Sequence, residues 1–430
     1  MRGTTTSKKK LLIMAGRPIA SCDIVNYAKT EGVYTIVTDY LPIENSPAKQ
    51  IADEDWDIST NDIDVLEKKI KKEGVNAIFT GAHEFNIKKT AELCRKTGLP
   101  FYATDFQLKT TMIKSLYKKL FKDFDVPVVP EYKIDENFHR NDLDKIEYPV
   151  VLKPVDGSGG YGISICNNED ELKNSYSKAL QYSYSKKVLL EKYINAKEVT
   201  IFYVIQDGNI FLSVIADRYV ANGNKLIIPL PVAYVFSSKH TENYISNLND
   251  KVIASFKSIG LMNGMVFIQS FIDNGNFIFY DIGFRLTGTQ EYKILEQVCG
   301  YNPLKMMVDY SLTGKMGKEN ISAKIDPYFN GKYACNITYL CKPCKIGKIL
   351  GIEEIKKIQG VLSVVPNHLI GEIIPDSAKG TLNQIILRVF AVADSKVELL
   401  QIIQQANYLL KVYSDLNENV LLPAVDINKL

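Results

Sequence analysis

The sequence predicts an α/β protein in three parts: an N-terminal βαβ block around a parallel sheet, a strand-rich middle, and a small α+β appendage at the C-terminus. Three observations carry this expectation. Short apolar runs alternate with helical spacing over the first hundred residues, strand patterns dominate from about 148 to 280, and mixed patterns return in the last hundred residues.

In order, KLLIM at 10–14 is a buried strand that stops at Ala15-Gly16-Arg17-Pro18, and helical spacing follows through 24–28. YTIVT at 34–38 is a second strand ending at Asp39, 65–72 is helical, and NAIFT at 76–80 is a strand ending at Gly81. A helix through 93–96 leads to the apolar run 100–103. Apolar strands separated by amphipathic helices make βαβ units with a parallel, doubly covered sheet. Ligands meet such a sheet at the carboxyl ends of its strands. Gly16, Asp39 and 81–84 fall there, so 16–18 and 81–84 are expected to wall a substrate cleft. Asp39 resembles the ribose-binding acid of a dinucleotide fold, but the first turn lacks G-x-G-x-x-G, which argues against that site.

Residues 106–125 read as one lysine-rich amphipathic helix, followed by Val126-Pro127-Val128-Val129-Pro130, an extended connection into a new unit. From 148 to about 205, strands surround one helix near 170–180. A partly antiparallel block runs on to about 280, interrupted by a helix at 248–259, and helical spacing resumes over 291–312. Strand patterns at 345–350 and 361–365 and a helix at 396–405 complete the chain.

Composition narrows the function classes. The chain has 430 residues, 46% hydrophobic and 23% charged, so it is globular with material for two to four domains. A net charge of +3, with no basic tract interleaved with aromatics, does not favour nucleic acid. No apolar stretch approaches the ~18 residues of a membrane span, so a cytoplasmic protein without a membrane partner is expected. Seven cysteines, an odd number, do not form a disulfide framework, and the lone C-x-x-C at 341–344 lacks the second pair of a zinc site.

The most informative stretch is YPVVLKPVDGSGGYGIS at 148–164, with four glycines among the six residues from Gly157 to Gly162. It satisfies G-x-G-x-x-G, but a dinucleotide turn must run into a helix. Here Ile163-Ser164-Ile165-Cys166 alternates like a strand. A protein-kinase loop also joins two strands, yet its lysine lies downstream, whereas Lys153 lies upstream, and no H-R-D precedes the D-I-G at 281–283. A Walker A loop would close on G-K-[ST]. What remains is a lysine at a strand end and a glycine lid, which suits a nucleoside triphosphate between two sheets: the ammonium meets phosphate oxygens and the glycine amides approach unobstructed.

Three motifs in order then carry a resemblance. Lys153 with Gly157, Ser158, Gly159, Gly160 and Gly162, then LLEKYI at 189–194 with Glu198 seven residues after Glu191, and upstream the lysine-bearing helix from Lys114 to the Val126-Pro127 turn, resemble the ATP-grasp superfamily. The relevant members are the carboxylate–amine ligases akin to carbamoyl-phosphate synthetase and biotin carboxylase. The resemblance implies an ATP-grasp fold: a pre-ATP-grasp αβ domain at 1–108, an ATP-grasp domain at 109–312 with a lid subdomain at about 127–188, and a C-terminal α+β domain at 313–430. It implies ATP and Mg²⁺ as cofactors. Lys114 and Lys153 would neutralise the α- and β-phosphates, and the 157–162 stretch would cap the β- and γ-phosphates. Glu191 with the backbone of Lys192 and Ile194 would read the adenine edge, and Glu198 would hold the ribose.

The metal end departs from the family pattern. Where relatives carry a glutamate and then E-x-N, this chain has Gln269, Asp281 and Gly283. One Mg²⁺ on Asp281, with Gln269 a weaker candidate ligand, is therefore expected. Side chains alternate along strands, so Gln269 and Asp281 share a face only across a turn with an odd number of residues; a three-residue loop at 273–275 is expected. Arg285 keeps the family's arginine position, where it would hold the substrate carboxylate or the acyl-phosphate oxyanion. Arg285 and Lys153 are the expected catalytic residues.

The implied activity is an ATP-dependent ligase that activates a small carboxylate as an acyl phosphate and joins it to an amine, both amino-acid-like, releasing ADP and phosphate. The alternatives are a phosphotransferase of the same superfamily or a non-catalytic nucleotide-binding regulator. A biotin carboxylase fits less well, because the loop after Arg285 does not match that family's glutamine- and glutamate-bearing continuation. A homodimer is implied by the resemblance alone.

Overall fold

The structure, a computed structural model, describes residues 8–156, 161–221 and 230–430. β1 (Lys10–Met14) and β2 (Tyr34–Thr38) occupy the runs read from the sequence. With β3 (Glu54–Trp56) and β4 (Ala77–Thr80) they form a parallel sheet of order β3-β2-β1-β4. Helices α1 (Ile19–Thr30), α2 (Pro47–Ile51), α3 (Ile63–Glu73) and α4 (Glu84–Thr97) surround it. Alternation along β1 explains the double cover: Leu11 and Ile13 share a core with Ile24 and Val25 of α1, while Leu12 and Met14 pack with Leu66 of α3 and Leu93 of α4. The apolar run 100–103 forms no strand. Tyr102 instead donates its hydroxyl to the Phe284 carbonyl at 2.9 Å and stands edge-on to the Phe284 ring.

Asp39 clamps the first turn. Its carboxylate accepts from the Gly16 N–H and the Ser46 hydroxyl, each at 2.8 Å, and pairs with buried Lys49 at 3.4 Å. A Cβ on Gly16 would lie 2.2 Å from the Ser46 hydroxyl, so the turn requires glycine. Arg17 reaches Glu372 in the C-terminal part at 3.5 Å, a structural tie instead of a cleft wall.

The expected single helix over 106–125 is two, α5 (Asp105–Met112) and α6 (Lys114–Lys122), separated by extended Ile113. The Thr111 hydroxyl bonds back to the Gln107 carbonyl at 2.9 Å, an interaction that competes with the helical ladder near its end. Next come β5 (Glu131–Tyr132), α7 (Arg140–Leu143), β6 (Val150–Pro154), β7 (Ser164–Cys166), α8 (Glu169–Gln181) and β8 (Val188–Lys192). They make an antiparallel sheet of order β5-β8-β6-β7 with Val150, Leu152, Leu172 and Leu190 in its core. β6 and β7 pair antiparallel across the glycine stretch, so the topology there is strand–loop–strand.

β9 (Lys197–Gln206), β10 (Asn209–Val220), β11 (Pro231–Phe236), β12 (Gly264–Asp273) and β13 (Asn276–Phe284) begin the largest sheet. Helices α9 (Thr241–Tyr244) and α10 (Asp250–Ser258) are inserted after β11, with a π-helical turn at Ile245–Asn249 between them. The helical spacing over 291–312 divides into α11 (Tyr292–Cys299) and α12 (Pro303–Thr313), because Gly300 turns left-handed (φ 73°) and the Asn302 side chain caps α12 through the Leu304 N–H at 2.9 Å. Beyond lie β14 (Tyr333–Leu340), β15 (Cys344–Leu350), α13 (Ile352–Lys356), β16 (Val361–Pro366), β17 (Ile373–Ile374), β18 (Ile385–Ala393), α14 (Lys396–Leu409) and β19 (Lys411–Ser414). β14, β18 and β16 extend the central sheet, whose order is β13-β12-β9-β10-β11-β14-β18-β16, and β17-β15-β19 form a small separate one. Thus one antiparallel sheet carries strands from both sides of residue 312. Its middle strand β9 is fully buried from Ile201 to Ile205. Cys341 and Cys344 are free thiols, and burial pushes Cys341 up to about 12. Among the described residues no helix is long and apolar enough to cross a membrane.

Candidate active site

The cleft, about 390 Å³, lies between the β5–β8 sheet and the central sheet. Its floor begins on the β12–β13 hairpin. The turn is Asn274-Gly275, two residues with φ of 47° and 84°, not the expected three-residue loop. Asn-Gly tolerates both left-handed conformations, as a tight type I′ turn requires. That turn alone would place Gln269 and Asp281 on opposite faces. A β-bulge restores them: Ser270 pairs with Phe279 and Gln269 with Asp281, leaving Tyr280 as the extra residue. Tyr280 then points its hydroxyl at Glu198, donating at 2.7 Å.

Gly283 is the position at which the resemblance led to the expectation of an asparagine, and here packing requires glycine. A Cβ there would sit 2.2 Å from the Phe267 ring. The same ring lies 4.7 Å from the Arg285 guanidinium in a cation–π contact, so the space of a ligand is used to position the arginine. Gly283→Ala is expected to cost about 1–3 kcal/mol through overpacking, read as a lower urea midpoint. Adding Phe267→Leu should recover most of that loss.

At one end of the cleft, Lys153 lies near the end of β6 and its ammonium lies 2.5 Å from the Glu191 carboxylate on the neighbouring strand β8. Lys118, which sequence reasoning missed, reaches the same carboxylate and pairs with Glu131 at 2.8 Å. It lies one turn after Lys114 on α6, and its i+4 spacing beside buried Tyr117 and Phe121 was the available signal. Lys114 lies 3.9 Å from Asp281. Burial alone would raise the Glu191 carboxyl, but the Lys153 and Lys118 charges hold it below the usual range. Burial, reinforced by Lys114 and Lys118, pulls Lys153 below the usual lysine range despite Glu191. The Glu191 carboxylate is thus engaged by two ammonium groups. Residues 192–196 line the cleft beside it, while the Lys192 ammonium points away to Glu147 at 2.9 Å.

Glu198 opens β9 and accepts from both Arg218 on β10 and Tyr280. Arg218 also touches the Tyr234 hydroxyl at 3.4 Å, which makes a cross-strand row of polar groups on the floor. Of the lid, Gly162 is left-handed (φ 73°), and a Cβ there would lie 2.8 Å from Tyr182. Tyr161 stacks on Tyr182 and accepts from Asn383 at 3.0 Å, tying the lid to the C-terminal part. Gly157, Ser158, Gly159 and Gly160 lie outside the described residues.

At the other end, Arg285 reaches Glu84, the first residue of α4, at 3.2 Å, so the end of the 81–84 stretch does approach the cleft. The loop that follows carries Thr287 and Thr289, whose hydroxyls bond the buried Glu291 carboxylate. Burial raises the Glu291 carboxyl even against these bonds. Asn336 on β14 donates to the Thr289 carbonyl at 2.6 Å, so the loop spans from β13 to the C-terminal strands. Arg285 Nε, Gln290 Oε1, Glu291 Oε1, Asn336 Oδ1 and Arg388 Nε are all buried without a partner. Such atoms are normally satisfied, and these five cluster around the 285–291 loop.

Asp281 and Gln269 offer two oxygens on one face. That donor set fits one hard cation completed by phosphate and water, and among the described residues no cluster of three metal-ligating acids, histidines or cysteines occurs. Lys114, Lys153, Glu191, Lys192, Ile194, Glu198, Gln269, Asp281 and Arg285 all line this single cleft.

Residues 114–315 match the family described as carbamoyl-phosphate synthase L chain, ATP binding domain. Over 320 residues, 70% of this chain, the sequence is 27% identical to the 2-oxoglutarate carboxylase small subunit of Hydrogenobacter thermophilus; the match spans 66% of that subunit, just under two thirds. In fold, the chain is similar to the biotin carboxylase domain of the 2-oxoglutarate carboxylase from that organism, a dimer in complex with MgADP, ADP and bicarbonate, with a TM-score of 0.77, 21% identity and coverage of 96% of this chain and 91% of that one. It is also similar to an L-amino acid ligase from Bacillus licheniformis, with a TM-score of 0.74, 17% identity and coverage of 95% and 99%.

Proposed function

We propose, from the premise that this chain is an ATP-grasp protein carrying at 114–315 the ATP-binding domain of the carbamoyl-phosphate synthase L-chain family, that it is an ATP-dependent carboxylate–amine ligase. The observation that carries the reading is the convergence of Lys114, Lys153, Asp281 and Arg285 on one cleft. Two ammonium groups at the phosphate end lower the cost of gathering the triphosphate's charge. Asp281 and Gln269 would hold one Mg²⁺, which when bound neutralises phosphate oxygens. Arg285, fixed by Phe267 and Glu84, holds the carboxylate in line with the γ-phosphorus.

The carboxylate oxygen attacks the γ-phosphorus and ADP leaves, giving an acyl phosphate. The amine nitrogen then attacks the acyl carbon, phosphate leaves, and the nitrogen loses a proton to give the amide. Arg285 stabilises the oxyanion that develops on the acyl oxygen between these events. The Tyr161–Tyr182 stack and its bond to Asn383 help keep water from the anhydride. The ADP-forming ligase belongs in the cytoplasm, and a homodimer is its proposed assembly.

Release of ADP and phosphate across a matrix of small acids and amines tests the proposal. The expected result is phosphate release that requires both an acid and an amine and falls about 10²-fold or more in Asp281→Asn. ADP without free phosphate would favour the second reading, a phosphotransferase, to which the thinned metal end at Gln269 and Gly283 lends weight.

A further inference from the structure

Arg388 lies on β18, far in sequence from every motif, yet it lines the same cleft as Asp281 and Arg285. It is only 4% exposed. Nη1 donates to the Thr338 hydroxyl at 2.6 Å, while Nε is buried without a partner. Two other arginines of the cleft have acids, Arg218 with Glu198 and Arg285 with Glu84. Among the described residues, Arg388 forms no ion pair. Glu291 acts on it electrostatically but makes no hydrogen bond to it: Oε2 is bonded by Thr287 and Thr289, Oε1 is buried without a partner, and burial raises the carboxyl. A guanidinium stays charged at any physiological pH, and a buried cation without a counter-ion is strongly unfavourable. Among the described residues no acid bonds the Arg388 guanidinium directly, which leaves a bonded anion to be supplied.

Position says which anion. The reacting carboxylate belongs beside Asp281 and Arg285, at the start of the 285–291 loop. That loop crosses to β14 through the Asn336–Thr289 bond, and Arg388 lies on the next strand. The unclaimed Nε edge of a planar guanidinium matches a carboxylate held by two parallel bonds. Resting on the ligase reading and extending it, we propose that Arg388 is a specificity-determining residue that binds a second, non-reacting carboxylate of a substrate. That group can be carried by the acid, as in a dicarboxylate, or by the amine, as in an amino acid.

Calorimetric titration of the full chain saturated with Mg·ADP separates these sources. One arm compares glutarate with its monoamide, the other L-alanine with L-alaninamide. In at least one arm the free carboxylate is expected to bind tenfold or more tightly than its amide, and the responding arm identifies the source. Arg388→Met should bring that ratio to one with Mg·ADP affinity unchanged. Arg388→Lys, which keeps the charge without the fork, should lower the ratio severalfold, and it carries the test if the methionine variant does not fold. Wild-type protein that binds both members of each pair equally, or binds none of them, overturns the proposal, as does a ratio that survives both substitutions. Discrimination without acid- and amine-dependent phosphate release would keep Arg388 assigned and remove the ligase reading instead.

Discussion

Glu191→Gln is expected to remove about 3–5 kcal/mol of folding stability, the usual cost of breaking a buried ion pair by deleting one partner. Lys118 would retain Glu131, but Lys153 would be left buried without an anion. Urea unfolding measures the loss directly, and Lys153→Met in the same background should return part of it, since the orphaned charge is then gone. A loss below about 1 kcal/mol, the scale of a surface pair, would show that the ammonium is hydrated instead. The same pair sets an acid limb. The folded Glu191 carboxyl is held below its usual value, so its contribution is full above the ordinary carboxylate range and is lost as pH falls through the folded value. Wild-type stability should therefore decline on acidification more steeply than that of Glu191→Gln.

Lys153→Met should lower turnover about 10²–10³-fold, the scale seen when one preorganised electrostatic contact to a reacting group is removed. The fold should survive, because methionine fills the aliphatic volume and Glu191 keeps Lys118. Burial already pulls Lys153 below the normal lysine range, so removing its charge relieves a cost in the free protein. An unfolding midpoint at or above wild type, together with the drop in turnover, would separate a functional lysine from a structural one. Turnover within tenfold of wild type would remove Lys153 from the phosphate site.

What the sequence disclosed follows from how local each feature is. β1 and β2 were legible to the residue because continuous apolar runs end abruptly, at Ala15-Gly16 and at Asp39. The glycine stretch was read as strand–loop–strand from the alternation after Gly162. Lys153, Glu191, Glu198, Asp281 and Arg285 were found through spaced motifs, and the structure brings them to one cleft. The break at Ile113, where one residue turns extended between two helices, is not registered by periodicity. The shared face of Gln269 and Asp281 was expected for the wrong reason: turn length was the only visible variable, whereas the bulge at Tyr280 is a property of the pairing. Arg388 was missed because it is charged in the sequence and buried only after β14, β16 and β18 assemble, and Arg218 because its partner Glu198 is met only when β9 and β10 pair.

The central sheet also sets a timetable for the newborn protein. β11 is hydrogen-bonded on one side to β10, its neighbour in the chain, and on the other to β14, about 100 residues later. At roughly 5–20 residues per second of synthesis, that edge waits on the order of 5–20 s for its partner to leave the ribosome. During that interval Val232, Ala233, Tyr234 and Phe236, all buried in the finished molecule, lie on an open strand edge, the form most prone to pairing with another chain. Arrest or truncation between residues 236 and 333 therefore leaves a nascent chain with an adhesive edge, and a chaperone that covers 231–236 would act on the segment whose protection comes last.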